Sequence, residues 1–392
     1  MITNKISPLR ILQVHNVYQG KTGEETVVEE ERKILERHGH EVIQFIKDNS
    51  DLNKFGKLEK FRMLFSLTSS QSIATEFESL LDKEQPDVCH VHNTFPLITP
   101  IVYQICQSKG VPVVQTLHNY KMVCTNSLLF RNGEVCEECL NKSLYNSIKF
   151  KCYRDSYFAT AAQAHVIQYH RNKGTWDNMI DRYVCLTEFQ KEKVFGDSLK
   201  DKVVVKPNFL AENNLDTVRE DFFLFVGRLN DSKGLQDLLY LFRRNSHSKF
   251  VLIGKSDNPE IFREFKNVKH LGERNRDVVL ENMRKCKAVI FPSKYYEGMP
   301  MVILEAFSLK KPVISRNRGA MASMINDGVN GLKYEIESGL VEAIETMEEN
   351  PTLVNQLGER AYVDYKENYT EEKGYENLIN LYDEVLSSRS LV

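Results

Sequence analysis

The sequence predicts an α/β protein built of two Rossmann-like domains facing a cleft. Three observations carry this. Short apolar runs alternate with amphipathic segments through the first half. A polar stretch, PNFLAENNLDTV from Pro207 to Val218, then breaks the alternation, and the same alternation resumes directly after it. Alternating β and α elements imply parallel sheets with right-handed crossovers. With 392 residues, 42% of them hydrophobic, the chain can fill two cores. The expected division is 1–207 and 208–370, with 371–392 as a closing segment.

The first run, Leu9–Val14, reads as a buried strand. A loop, Tyr18–Gly23, follows it. The next helix runs from about Gly23 to His38. Thr22 and Glu25 form a capping-box pattern at its start, and Gly39 closes it. Val42–Ile46, Val88–Val91 and Val113–Leu117 are further strands, with a helix near Ile101–Ser108. Val184–Leu186 and Val203–Lys206 complete the half. In the second half the strands are Phe222–Val226, Phe250–Ile253, Ala288–Phe291 and Val313–Ser315, with helical segments between them. Glu371–Ser387 is a one-faced helix with Leu378, Ile379, Leu381, Tyr382, Val385 and Leu386 on its apolar side.

The stretch Pro292–Leu309, PSKYYEGMPMVILEAFSL, carries two carboxylates, Glu297 and Glu305. Proline is favoured at a helix start and excluded from its interior. Glu297 is therefore expected on a loop, and Glu305 on a helix starting near Pro300. Loops at the carboxyl ends of parallel strands are where open α/β sheets bind ligands. Two carboxylates there can accept hydrogen bonds from hydroxyl groups, as on a sugar or a ribose. Earlier in the same half, Gly227–Gly234 (GRLNDSKG) joins a strand to a helix. Arg228 and Lys233 there flank a turn beside helix-terminal N–H groups, a combination suited to a diphosphate. A hydroxyl binder and a phosphate binder in one domain suggest a nucleotide sugar.

On these residues the chain resembles glycosyltransferase family 4, retaining enzymes of the GT-B fold, over nearly its whole length. Arg228 and Lys233 match the R-x4-K element, which in that family holds the donor diphosphate. Glu297 and Glu305 match its E-x7-E element, whose first acid meets the donor sugar and whose second meets the ribose. Gly23, Gly227, Gly298, Met299 and Pro300 complete the implied donor-binding set. Asn326–Leu332 (NDGVNGL) is similar to the family's turn after the donor site. The resemblance also implies that the last helix packs back on the first domain.

His118, after the strand Val113–Leu117, matches the histidine that approaches the donor sugar. The implied catalytic set is thus His118, Glu297, Arg228 and Lys233. Where the family usually has a double glycine before its first helix, only Gly23 remains, and Gly319–Ala320 stands where many relatives have Gly-Gly. His90, His92 and Asn93 follow another strand, where they line an acceptor side or serve as ordinary loop residues.

Cys124, Cys136, Cys139 and Cys152 form C-x11-C-x2-C-x12-C around a hairpin-like Arg131–Glu134. This spacing suits a structural four-thiolate zinc site; unpaired thiols and disulfides are the other readings. Cys89, Cys106, Cys185 and Cys286 have the surroundings of core residues. From Lys142 to Lys173, six basic residues oppose one acid, Asp155, with Tyr145, Ile148, Phe150, Tyr153, Tyr157 and Phe158 interleaved. The segment reads either as a contact for an anionic membrane surface carrying a lipid-linked acceptor or as a solvated basic face.

A net charge of -2 gives no support for nucleic-acid binding. No apolar run approaches a membrane span. A first strand at Leu9 leaves no room for a signal peptide, so a cytoplasmic setting is expected, at most peripheral to the membrane's inner face. The resemblance implies a retaining hexosyl transfer from a nucleotide sugar, UDP-sugar favoured over GDP-sugar, to a hydroxyl on a glycan or lipid-linked acceptor. It implies assembly of a cell-surface polysaccharide and no catalytic divalent metal. The leaving diphosphate is the expected acceptor of the hydroxyl proton, so no protein nucleophile is assigned. A nucleotide-sugar epimerase of the same plan and a non-catalytic sugar- or nucleotide-binding protein are the alternatives.

Overall fold

The computed structural model describes residues 7–18, 23–54, 56, 67–213 and 220–389. Thr22 of the expected capping box, most of the loop before it, and residues 214–218 of the expected linker lie outside the described residues. The chain divides into two compact units. The first takes residues up to Ser127, Glu138–Lys206, and the chain from Gly374 on; the second takes Leu128–Glu137 and Pro207–Lys373.

In the first unit, β1 (Arg10–Val17), β2 (Glu41–Asp48), β3 (Val88–Asn93) and β4 (Val113–Leu117) are the leading strands. A two-stranded hairpin, β5 (Phe130–Arg131) and β6 (Glu134–Val135), follows in the chain, then β7 (Arg182–Cys185) and β8 (Val203–Val205). The six-stranded sheet has the order β2-β1-β3-β4-β7-β8, and every pair is parallel. β3 and β4 are buried along their whole length, as strands covered by helices on both faces must be. Several strands are longer than their apolar runs. β1 continues through His15, Asn16 and Val17, and polar residues there extend the ladder because their backbone still pairs with β2. The helix Gln71–Glu84 escaped the sequence reading. It buries Ile73, Phe77 and Leu81 at helical spacing against the same core.

The second unit repeats the plan with β9 (Phe223–Val226), β10 (Phe250–Ile253), β11 (Val268–His270), β12 (Ala288–Phe291), β13 (Val313–Arg316) and β14 (Gly331–Tyr334). Their order is β11-β10-β9-β12-β13-β14, again all parallel. β11 and β14 are too short and too polar to stand out as apolar runs. The core gathers Phe223, Phe225, Phe242, Phe250, Phe262 and Ile290 with the inner faces of the flanking helices.

The last helix, Glu371–Arg389, buries Leu378, Ile379, Leu381, Tyr382 and Val385. From Gly374 on it belongs to the first unit. Tyr382 Oη lies 2.8 Å from His90 Nδ1, and Arg389 forms an ion pair with Asp181 at 3.0 Å. Among the described residues no helix is long and apolar enough to cross a membrane.

Candidate active site

In each sheet the chain leaves the central strand in opposite directions, and a crevice forms at the carboxyl ends where the directions part. In the second unit those ends belong to β9 and β12. β9 runs into Gly227 and Arg228, and β12 into the loop 292–300. Asn230 then caps a short turn, Asp231–Lys233, its side chain accepting from Lys233 N. Gly234 closes the turn with φ +83°, and a Cβ there would overlap the carbonyl oxygen of Pro292. Only glycine therefore lets the R-x4-K turn lie against the loop that carries Glu297.

That close approach brings the two elements together. Lys233 Nζ is 2.6 Å from Glu297 Oε1, and Ser293 Oγ donates to the same oxygen at 2.7 Å. The ammonium also lies 5.0 Å from the ring centroid of Tyr295 and 5.6 Å from that of Phe291. Burial opposes its charge, but Glu297 and Tyr295 beside it hold the pKa above the ordinary lysine value. Burial and the Glu297 carboxylate push Tyr295 up to about 12. Arg228 is exposed, and among the described residues its guanidinium has no ion pair.

Pro300 precedes the helix Met301–Ser308, which carries Glu305, as the sequence predicts. Burial raises the Glu305 pKa, and Arg276, 3.4 Å away, opposes the rise. Met299 is buried and its sulfur accepts from Asn208 N at 3.2 Å. The NDGVNGL turn has an architectural part. Asn330 bonds Met324 O at 3.1 Å and Asp364 at 2.8 Å, and Gly328 sits at φ +70°.

In the first unit the corresponding ends are those of β1, β3 and β4. A register shift between Val14 and His15 interrupts the pairing of β1 with β3. Such shifts re-aim side chains at strand ends. His15, His92 and His118 come together there: the His92 and His118 rings lie 5.3 Å apart, and His15 and His92 6.3 Å. Burial leaves His118 at about 3 and His15 at about 4, so both are neutral at pH 7. His118 lines a cavity of about 80 Å³ with His92, Asn119, Lys121, Gln163 and Trp176. Gly23 is exposed at the start of its helix. Glu25 Oε1 accepts from Tyr18 N at 3.0 Å.

Residues 22–211 match the sequence family described as Glycosyltransferase Family 4, and residues 208–364 match glycosyl transferases group 1. The chain belongs to glycosyltransferase family 4. An uncharacterised glycosyltransferase of Methanocaldococcus jannaschii is 26% identical over 338 residues, 84% of this chain and 83% of that one. An Escherichia coli O-antigen chain mannosyltransferase C is 29% identical over 211 residues, 49% of this chain and 57% of its own. Among solved structures, Anabaena HepE in complex with UDP superposes with a TM-score of 0.65 at 14% identity, over 96% of this chain and 100% of that one. The fold is GT-B and the protein is a transferase.

Several parts of this family 4 enzyme left no clear mark in its sequence. Asp237, fully buried, accepts from Arg316 at 2.6 Å and Tyr334 at 2.8 Å, and pairs with Lys294 at 3.1 Å. Lys294 adjoins Ser293 and Tyr295, so the network braces the Glu297 loop from below. Arg318 adds a bond to Lys294 O at 2.8 Å. The hairpin β5–β6 belongs with the second unit although it is inserted in the first half of the chain. Asn132 and Gly133 take φ +53° and +82° at its tip, matching a two-residue turn. Its Phe130 ring lies 6.3 Å from that of Tyr295. Only pairing across distant strands reveals such links.

None of the eight cysteines is in a disulfide. Cys124 Sγ donates to Asn126 Oδ1 at 2.9 Å. Among the described residues, the trio of potential metal ligands with donor atoms within 4.8 Å of one another is Glu31, His90 and His92. Cys124, Cys139 and Cys152 do not form such a trio. Cys89, Cys106, Cys185 and Cys286 are buried, in keeping with core positions.

Proposed function

We propose that this glycosyltransferase moves a hexosyl group from a UDP-sugar to a hydroxyl of a glycan or lipid-linked acceptor, with retention, in cell-surface polysaccharide assembly. The observation that carries the reading is the Lys233–Glu297 contact at the carboxyl ends of β9 and β12. It puts an anion binder and a hydroxyl binder side by side where a nucleotide sugar needs both. Arg228 and Lys233 are assigned to the diphosphate, Glu305 to the ribose, Glu297 to the sugar and His118 to a place beside the reacting sugar. The bond from the anomeric carbon to the diphosphate breaks, and the acceptor oxygen bonds that carbon. The hydroxyl proton passes to the leaving diphosphate. No catalytic divalent metal is invoked, because the two cations and helix N-termini stabilise the departing charge. The UDP seen with HepE and the O-antigen setting of the E. coli relative favour this choice of donor and pathway.

A lipid-linked acceptor is favoured by one surface. The helix Tyr157–Asn172 buries Gln163, Ala164, Val166, Ile167 and His170 on one side. Its other side leaves Phe158 62% exposed and Tyr169 41% exposed, with Tyr157 beside them. The neighbouring turn Leu144–Phe150 exposes Tyr145 and Phe150, and Lys142, Lys149 and Arg154 are exposed nearby. Aromatic rings and cations, with Asp155 the one acid of the segment, suit an anionic lipid surface.

Incubation with UDP-sugars, with and without a membrane extract as acceptor, tests the function. Acceptor-dependent UDP release supports it. Interconversion of the sugar without release would indicate an epimerase, and binding without turnover a non-catalytic protein. Sedimentation with anionic and neutral vesicles tests the surface; equal binding to both, or loss of neither in Phe158→Ser, would overturn it.

A further inference from the structure

Behind His118 stands a file of buried groups. Glu31, on the inner face of the helix Gly23–Arg37, is fully buried. Lys206 Nζ donates to its Oε1 at 2.7 Å. The other oxygen, Oε2, lies 3.5 Å from His92 Nε2. Both of these atoms are buried without a hydrogen-bond partner. On the far side of the ring, His92 Nδ1 is 3.0 Å from His118 Nε2.

A neutral imidazole carries one N–H and one lone pair. A proton on His92 Nε2 serves it and the carboxylate together. A proton on Nδ1 would instead leave a lone pair facing a buried anion, which is unfavourable. With the proton on Nε2, His92 Nδ1 is an acceptor, so His118 must donate through Nε2–H. His118 Nδ1 then holds a lone pair. We propose that Glu31 is a positioning residue that fixes the tautomer of His118 through His92, so that His118 offers Nδ1 as an acceptor for a hydroxyl of the donor sugar. The proposal rests on the reading that places His118 beside that sugar.

Neighbouring groups fit this direction. His90 Nδ1 is 3.7 Å from the same oxygen but 2.8 Å from Tyr382 Oη, and its Nε2 is 2.8 Å from Thr116 Oγ1. Both nitrogens of His90 are therefore occupied, and it stands beside the relay rather than in it. A metal ion on Glu31, His90 and His92 would have to displace the Tyr382 contact and sit beside the Lys206 ammonium, an electrostatic conflict.

Substitution by Gln reverses the signal. Lys206 holds one position of the side chain as an acceptor, so Glu31→Gln turns its NH2 toward His92. His92 Nε2 must then accept, and both tautomers invert. The test is 15N NMR of the imidazoles in the full chain near pH 7.5, for wild type, Glu31→Gln and Glu31→Asp, together with kcat and KM. Wild type should show His118 protonated at Nε2, Glu31→Gln should move the proton to Nδ1 and lower kcat tenfold or more, and Glu31→Asp should restore the wild-type tautomer. A wild-type His118 protonated at Nδ1 overturns the proposal without any variant, as does a tautomer unchanged in Glu31→Gln. Inversion with unchanged kcat supports the relay and overturns the placement of His118 beside the sugar.

Discussion

Lys233 Nζ lies 2.6 Å from Glu297 Oε1, so the cation assigned to the diphosphate is already paired with the acid assigned to the sugar. Both are largely withdrawn from water, with side chains 18% and 10% exposed. Binding a diphosphate would draw the ammonium toward a second anion while Ser293 keeps its bond to Glu297. Lys233→Ala should lower turnover by roughly 10²–10³-fold. It should also destabilise the second unit, because a buried carboxylate loses its counter-ion. Adding Glu297→Gln should recover part of that stability, with a coupling of roughly 0.5–3 kcal/mol in a denaturation double-mutant cycle. Near-wild-type activity in Lys233→Ala would sink the diphosphate assignment, and zero coupling would sink the pair.

The two acids should separate in binding. Glu305→Gln is expected to weaken UDP binding by roughly 1.5–3 kcal/mol, the worth of a hydrogen bond to a charged group. Glu297→Gln should leave UDP affinity nearly unchanged and lower kcat. Calorimetry with UDP alone decides this. Equal loss of affinity in both variants contradicts the split of roles.

Much of this arrangement was legible because local rules and position agreed. Pro300 marks the helix that carries Glu305, and the apolar run 288–291 is the strand that delivers Glu297. What stayed hidden depends on contacts far apart in the chain. Glu31 and Lys206, 175 residues apart, look like a helix-surface acid and a strand-end base until the fold buries both. Asp237 sits at an ordinary helix position and shows its role only through Arg316 and Tyr334. The hairpin 130–135 was legible as a turn, but its attachment to the second unit is a tertiary choice that no local pattern encodes.

Acid should weaken the first unit through its neutral histidines. His15 is buried, both its ring nitrogens lack hydrogen-bond partners, with Glu24 at 3.6 Å and Glu25 at 4.0 Å, and burial pushes its pKa from 6.5 to about 4, with Glu25 opposing. Because the folded value is the lower one, the stabilising contribution is complete above pH 6.5 and is lost as pH falls through about 4. By pH 5 the loss is about 2 kcal/mol. Denaturant midpoints at pH 7.5 and pH 5 should therefore differ more for wild type than for His15→Gln. An identical pH slope in both would rule out this source.

Zinc at Cys124, Cys136, Cys139 and Cys152 is a proposal that elemental analysis decides. Thiolate ligation is coupled to local folding, so the sulfurs need to converge only when the metal binds. About one zinc per chain is expected, held without an open position and hence structural. Cys136→Ser or Cys139→Ser should loosen the segment 124–152 to proteolysis and leave UDP binding intact. Metal-free protein with all four thiols readily titrated would overturn the site, and two disulfides in cytoplasmic material would overturn it as well.

Gly234 should tolerate no side chain. Its φ of +83° is strained for any L-residue, and a Cβ would meet Pro292 O, whose neighbour Ser293 braces Glu297. Gly234→Ala must therefore push the turn 231–233 away from the loop 292–300, stretching the Lys233–Glu297 contact. Backbone strain of this kind costs about 1–3 kcal/mol, and the overlap adds to it. The expected result is a lower denaturation midpoint together with weaker UDP binding. Gly272 is the control: it has φ +71° but nothing within 4 Å of a Cβ. Gly272→Ala should show the strain alone and keep UDP binding. If both variants bind UDP as wild type does, the close approach at Gly234 does not position the site.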